Sequence, residues 1–161
     1  MAQDTLRQPI YISSDRRSIV QTLLVGLAVG ILGWLLDMAI QRFFIEPVFC
    51  RNADSFSMCA NGGTIAWVIA IIIASAIGLF SLIRINVFRP LLVVLAAAVT
   101  LWGVSGWLGP LVWWQALLWH GALFAVAYLL FVWLARAERF PLAFITTIVV
   151  ILLLRLVVLS A

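Results

Sequence analysis

A run of 46 residues without a charged side chain, from Pro90 to Ala135, constrains this chain more than any other feature of its sequence. As a single helix rising about 1.5 Å per residue, the run would be roughly 69 Å long, more than twice the thickness of a bilayer core. It must therefore fold back on itself. Glycine and proline cluster between Gly103 and Pro110, so we place the break there and expect Pro110 in the first turn of the next helix.

The composition of the chain excludes a water-soluble domain. Hydrophobic residues make up 66% of the sequence and charged residues only 10%, against about 45–50% and about 25% in soluble domains. With so few charges the chain cannot neutralise a run of phosphates, so nucleic-acid binding is excluded as well. The apolar runs are continuous rather than alternating, which predicts membrane helices and not a β-barrel.

The apolar runs predict an all-α integral membrane protein, a bundle of five transmembrane helices. The predicted spans cover about residues 18–41, 64–83, 90–107, 111–135 and 140–159. Residues 1–17 form a polar tail, and residues 18–161 form a single transmembrane domain with one longer loop at 42–63. This organisation leaves no room for a soluble catalytic domain.

The arginines predict the orientation of the bundle, because cytoplasmic loops carry an excess of basic residues. With the N-terminus in the cytoplasm, seven of the ten arginines face the cytoplasm and three face the other side. The seven are Arg7, Arg16, Arg17, Arg84, Arg89, Arg136 and Arg139. We therefore expect a cytoplasmic N-terminus and an external C-terminus, in a multi-pass protein of a bacterial inner membrane.

The two cysteines, Cys50 and Cys59, both fall in the loop 42–63, which is external in this topology. Disulfides form in oxidising compartments, so the loop is predicted to carry a structural Cys50–Cys59 bond, stabilising by roughly 2–3 kcal/mol. A redox-active pair would have the C-x-x-C spacing, and a zinc site would need four ligands. The loop has neither pattern, so no metal is expected there.

Three ionisable residues are predicted to lie inside the membrane, where each is costly and therefore a functional candidate. These are Asp37, His120 and Arg155, and all three map to the outer half of the bundle. In the structural interpretation, Asp37 pairs with Arg155 across the first and last helices, and His120 or Gln115 completes the hydrogen bonds. In the functional interpretation, the same residues form a polar pocket, open to the outside, for an ion, a proton or a head group.

Tryptophan is concentrated at the same side of the membrane, with seven of the eight residues in the outer half. The hairpin around the predicted break carries five of them: Trp102, Trp107, Trp113, Trp114 and Trp119. An interfacial anchoring belt explains some of this excess, although such belts form at both interfaces. The part of the tryptophan excess that a belt does not explain predicts an outer aromatic surface, which would contact a lipid tail, a ring system or a partner helix.

A stripe of small residues lies on the first span at Gly26, Gly30 and Gly33. Such small-xxx-small faces let another helix approach closely. The stripe is predicted to be a helix-packing face, either within the monomer or against a second copy or another membrane protein.

No catalytic motif occurs in the sequence, and no cofactor-binding motif was found. We therefore expect a non-enzymatic accessory or interaction subunit, which uses its helix faces and its tryptophan-rich outer half to bind a partner protein or lipid. The alternative is a small oligomeric transporter or channel with an outward-facing site at Asp37, His120 and Arg155.

Overall fold

The computed structural model describes residues 16–50, 61–108, 110–135 and 140–160. Throughout these ranges every regular element is helical and none is a strand, as the continuous apolar runs predict. Three helical segments are long and apolar enough to cross a membrane: Arg17–Val48, Gly62–Arg84 and Trp113–Ala135. Residues 1–15, most of the predicted polar tail, lie outside the described ranges.

The first helix continues beyond its predicted end at residue 41. Helix α1 (Arg16–Ile40) runs into a π-helical turn, Gln41–Ile45, and then into the short helix α2, Glu46–Phe49. Ile45 is buried and packs against Gly62, where a side chain would collide with it. The predicted loop 42–63 is therefore helical at its start, because this contact holds the extended helix.

Helix α3 (Gly62–Arg84) leads through a short turn to α4, Pro90–Thr100. The residue before Pro90, Arg89, has a φ of 54°, in the left-handed region, so the backbone reverses sharply at this point. Pro90 then begins the helix, as proline commonly does because its fixed φ suits the first helical position.

The predicted third span, 90–107, is not one continuous helix. Helix α4 has 11 residues, about 16 Å of rise, which is half a bilayer core. A turn at residues 101–103 follows, in which Gly103 has a φ of 89°, and the chain then forms the short helix α5, Val104–Leu108. A glycine in the left-handed region is the usual way to end a helix, which explains why the helix stops before its apolar sequence does.

Helix α6 (Trp113–Ala135) begins later than predicted. The Ala116 N–H donates to the Val112 carbonyl oxygen at 3.0 Å, and Pro110 precedes the helix instead of lying in its first turn. The last helix, α7, spans Phe140–Ser160 and contains the shorter apolar stretch Phe144–Leu154.

The core of the bundle is formed where α1 packs against α6 and α3. Helix α4 fills the space beside α3 and α6, and α7 packs mainly on α4 and α6. The largest fully buried side chains include Tyr128 and Phe131 from α6, Leu82 from α3 and Val93 from α4. At one end of the bundle, the end of α1 therefore lies beside the start of α3. The α4–α5 turn and the start of α6 lie at this same end.

Candidate functional site

A cavity of about 640 Å³ lies where these four chain segments meet. We refer to this part of the molecule as the cavity end of the bundle. Asp37 and Gln41 come from the end of the first helical segment, Trp67 from the start of α3, and His120 from α6. The other lining residues are Trp34, Met38, Gly63, Thr64, Trp102, Gly103, Gly106, Leu108, Leu111, Trp113 and Ala116.

The broken helix forms one side of this cavity. Gly103 and Gly106 both line it, and a Cβ atom built at either position meets no other atom within 4 Å. A continuous helix with ordinary side chains would carry bulk at these positions. The glycine-rich turn therefore leaves open the space that the four segments surround.

Trp67 and His120 are the most deeply buried polar side chains of the cavity lining. Each is only 2% exposed, and their rings meet edge to face with centroids 5.3 Å apart. Neither Trp67 Nε1 nor His120 Nε2 has a hydrogen-bond partner among the described residues. Leaving a buried polar atom without a partner costs about 1–3 kcal/mol, so such atoms are uncommon and make their surroundings a candidate binding site.

The hydrogen bond on the other side of the imidazole determines what His120 presents to the cavity. His120 Nδ1 lies 2.8 Å from the Ala116 carbonyl oxygen. Because a carbonyl oxygen only accepts, Nδ1 carries the proton, and Nε2 of the neutral ring is an acceptor. The cavity therefore offers one buried donor, the Trp67 indole N–H, close to one buried acceptor.

Asp37 supplies a half-buried carboxyl group to the same cavity. Gln41 Nε2 donates to Asp37 Oδ1 at 3.2 Å, one helical turn further along the chain. Gln41 is the first residue of the π-helical turn, a feature that is often found at functional sites. Because a carboxylate accepts about four hydrogen bonds, Asp37 retains acceptor capacity after this contact.

The predicted polar cluster is brought together only in part. Asp37 and His120 line one cavity, whereas Gln115 is half-buried on α6 and is not among its lining residues. The side chain of Arg155 lies outside the described part of the structure, so the Asp37–Arg155 pair stays a prediction. Its helix, α7, packs mainly on α4 and α6, not on the helix that carries Asp37.

The predicted aromatic surface is divided between the cavity and the outside of the bundle. All four of Trp102, Trp113, Trp114 and Trp119 are exposed, and of these only Trp102 and Trp113 are among the described lining residues of the cavity. Trp107 lies in α5, but its side chain is outside the described part of the structure.

The glycine stripe lies between helices of this chain. Gly26 and Gly30 face the backbone of α6: a Cβ atom at Gly30 would lie 2.5 Å from the His120 carbonyl oxygen. Gly33 lies on the α3 side, where the nearest atom to such a Cβ is the Ala74 Cβ at 3.7 Å. The close approach at Gly30 also fixes the position of the α6 backbone that carries His120.

The predicted disulfide cannot be located, because Cys59 lies outside the described residues while Cys50 is at the end of one described range. In those ranges, no group of three or more histidine, cysteine, aspartate or glutamate side chains is arranged to hold a metal ion.

Sequence reasoning missed Trp67, Gln41 and Gly106 as site residues. The spacing of Asp37 and Gln41, four residues apart on a helix, is a signal that could have paired them. The roles of Trp67 and Gly106 depend on contacts between distant segments, and no local pattern encodes those contacts.

Comparison with known proteins adds no assignment to this geometry. No family model matches the chain, and neither the curated proteins nor the solved structures contain a match.

Proposed function

We propose that this chain is a non-enzymatic membrane protein that binds a small amphiphilic molecule, or the head group of a lipid, in the cavity. The observation that carries the proposal is the pair of buried atoms Trp67 Nε1 and His120 Nε2, which have no partner in the described residues and belong to two side chains of the cavity lining. A head group with a donor would satisfy His120 Nε2, one with an acceptor would satisfy Trp67 Nε1, and the apolar body of the ligand would lie against the tryptophans. Such a mixture of apolar walls and a few convergent polar groups is typical of ligand sites.

This proposal is a more specific form of the role expected from the sequence, that of an accessory subunit which binds lipid or a partner protein. Gly26 and Gly30 are occupied by α6 of the same chain, so this part of the glycine stripe is not free for a partner. We therefore propose that recognition takes place at the cavity end of the bundle, which is also the tryptophan-rich end.

Gly106 offers a direct test, because a side chain there enters open space. We expect Gly106→Leu to fill part of the cavity, and to leave the unfolding temperature unchanged or slightly raised, since leucine is a better helix former than glycine. Binding would be measured by tryptophan fluorescence on the full chain in phosphatidylcholine nanodiscs, with three probes of one apolar body: 4-phenylbutylammonium, 4-phenylbutan-1-ol and 4-phenylbutanoate.

At least one probe should bind the wild-type protein, and Gly106→Leu should weaken that binding by roughly tenfold or more. The site would be refuted if no probe bound the wild type, or if the variant bound every probe as tightly as the wild type does.

A small oligomeric transporter is the second candidate, and the break between α4 and α5 favours it. Membrane transporters commonly build their substrate sites from discontinuous helices, and here the turn at Gly103 lies on the cavity. In reconstituted vesicles, a transporter should move a bound probe across the bilayer, and Asp37→Asn should reduce this flux. A protein that binds the probe without any flux is a binding protein only.

For the topology, we propose five crossings, with the N-terminus in the cytoplasm and the C-terminus outside, in a bacterial inner membrane. The two pieces α4 and α5 together form the third crossing, and α7 forms the fifth. The excess of arginine on one side supports this orientation. A reporter fused after Ala161 should be active only outside the cytoplasm; a cytoplasmic reporter would mean that residues 90–108 do not cross.

In this topology, the cavity end faces the outside, and so does the loop with Cys50 and Cys59. We propose that these two residues form a disulfide, since they are the only cysteines of the chain. Reduction should change the electrophoretic mobility of the purified protein. Two titratable thiols in the unreduced protein would exclude the bond.

A further inference from the structure

The charge of the cavity lining restricts the charge that the head group of a ligand can carry. Among the lining residues in the described ranges, Asp37 is the one acidic side chain, and none is arginine or lysine. Among these described residues, an anionic head group would meet the Asp37 carboxylate and no basic side chain. A cationic head group would meet an opposite charge in a partly desolvated site, where such interactions are stronger than in water.

The hydrogen-bonding groups of the site also favour a cationic head group. In the neutral imidazole, His120 Nε2 is a buried acceptor, because Nδ1 carries the proton that is donated to the Ala116 carbonyl oxygen. Asp37 adds a second acceptor, with capacity beyond its bond from Gln41. A group with several N–H donors fits these two acceptors, and the Trp67 indole N–H supplies one donor for an oxygen atom of the same ligand.

The aromatic walls provide a third, independent argument. Trp34, Trp102 and Trp113 line the same cavity as Asp37. Tryptophan has the most favourable ring face for a cation, and aromatic cages are the general solution for recognising ammonium groups. The Asp37 carboxylate and three indole side chains thus surround the same cavity.

We propose that the cavity selects amphiphiles with a protonated amine head, whose N–H groups donate to His120 Nε2 and to the Asp37 carboxylate. This inference rests on the proposed ligand-binding function. The apolar body of the amine lies against Trp102 and Trp113, which line the cavity and are also exposed.

The three probes named above test this selectivity, because they share one apolar body and differ in head-group charge. We expect 4-phenylbutylammonium to bind wild-type protein at least about tenfold more tightly than 4-phenylbutan-1-ol, and 4-phenylbutanoate to bind most weakly. Nanodiscs of zwitterionic phosphatidylcholine without the protein correct for partitioning of each probe into the lipid.

Two substitutions at Asp37 separate the effect of its charge on probe binding from any effect on folding. Asp37→Asn keeps the size of the side chain and should reduce the preference for the amine over the alcohol to near one. Asp37→Glu keeps the charge and should retain most of the preference. If Asp37→Asn does not fold, the wild-type and Asp37→Glu selectivities still decide the question.

The outcomes distinguish this inference from the proposed function. If the alcohol or the carboxylate binds as tightly as the amine, and Gly106→Leu abolishes that binding, the site exists but the amine assignment is wrong. The assignment is also overturned if Asp37→Asn keeps the full preference for the amine. If Gly106→Leu binds all three probes like the wild type, the cavity itself is not the site.

Discussion

The close approach of α1 and α6 at Gly30 predicts a large and position-specific effect of adding a single methyl group. In Gly30→Ala, the new Cβ atom would lie 2.5 Å from the His120 carbonyl oxygen and 2.9 Å from Gly121 Cα. Both are backbone atoms, and both distances are well below the roughly 3.5–4.0 Å optimum for non-bonded atoms. Neither neighbour can rotate away, so the two helices must separate.

Gly33→Ala is the matched control, because it adds the same methyl group to the same helix. Its new Cβ atom would lie 3.7 Å from the Ala74 Cβ, an ordinary contact. Alanine improves helix propensity by about 1 kcal/mol in both variants, and this gain cancels in their comparison. The difference in unfolding free energy therefore isolates the clash, and overpacking of this kind costs about 1–3 kcal/mol.

The measurement is reversible unfolding of the full chain in mixed detergent micelles, followed by circular dichroism. Gly30→Ala should be less stable than Gly33→Ala by about 1–3 kcal/mol. Since the clash is with the backbone of His120, Gly30→Ala should also weaken probe binding. Equal stability of the two variants would refute the close packing of α1 on α6.

Two further substitution pairs test the core and the helix break. Phe131 is 0% exposed and Phe43 is 72% exposed, so Phe131→Ala should lower the unfolding free energy by about 2 kcal/mol through the cavity it leaves, whereas Phe43→Ala should change it little. Gly103→Ala places a side chain at a φ of 89° and should lower this free energy by about 1 kcal/mol, while Gly106→Ala, in open space, should not lower it. The same unfolding measurement checks both pairs, and equal effects within a pair would contradict the burial or the backbone geometry.

The helical class and the fold-back of the long apolar run were predictable because they follow from length and hydrophobicity alone. A run from Pro90 to Ala135 cannot cross a bilayer once, and glycine and proline indicate where it turns. The helix ends were less predictable. Thr100 ends α4 within an apolar sequence because Gly103 takes a left-handed conformation, and Ile45 extends the first helical segment through its contact with Gly62.

Two residues of the candidate site were predictable from the free-energy cost of polar groups in a membrane, but the residues that surround them were not. That cost identifies Asp37 and His120 without any structure, and both line the cavity. Trp67 resembles any interfacial tryptophan in the sequence. The position of its indole N–H, which has no partner among the described residues, and its contact with His120 depend on the packing of α3 beside α6, which a single sequence does not specify.

The central claim is that His120 Nε2 is a ligand-binding atom, and nitrogen NMR tests it most directly. His120 is the only histidine of the chain, so protein labelled with ¹⁵N-histidine and carrying a histidine-free tag gives one pair of ring resonances. On addition of 4-phenylbutylammonium, the Nε2 resonance should move as its lone pair gains a donor, while Nδ1 keeps its proton. Gly106→Leu should show no such change. An Nε2 resonance that stays in place while the probe binds would contradict the claim.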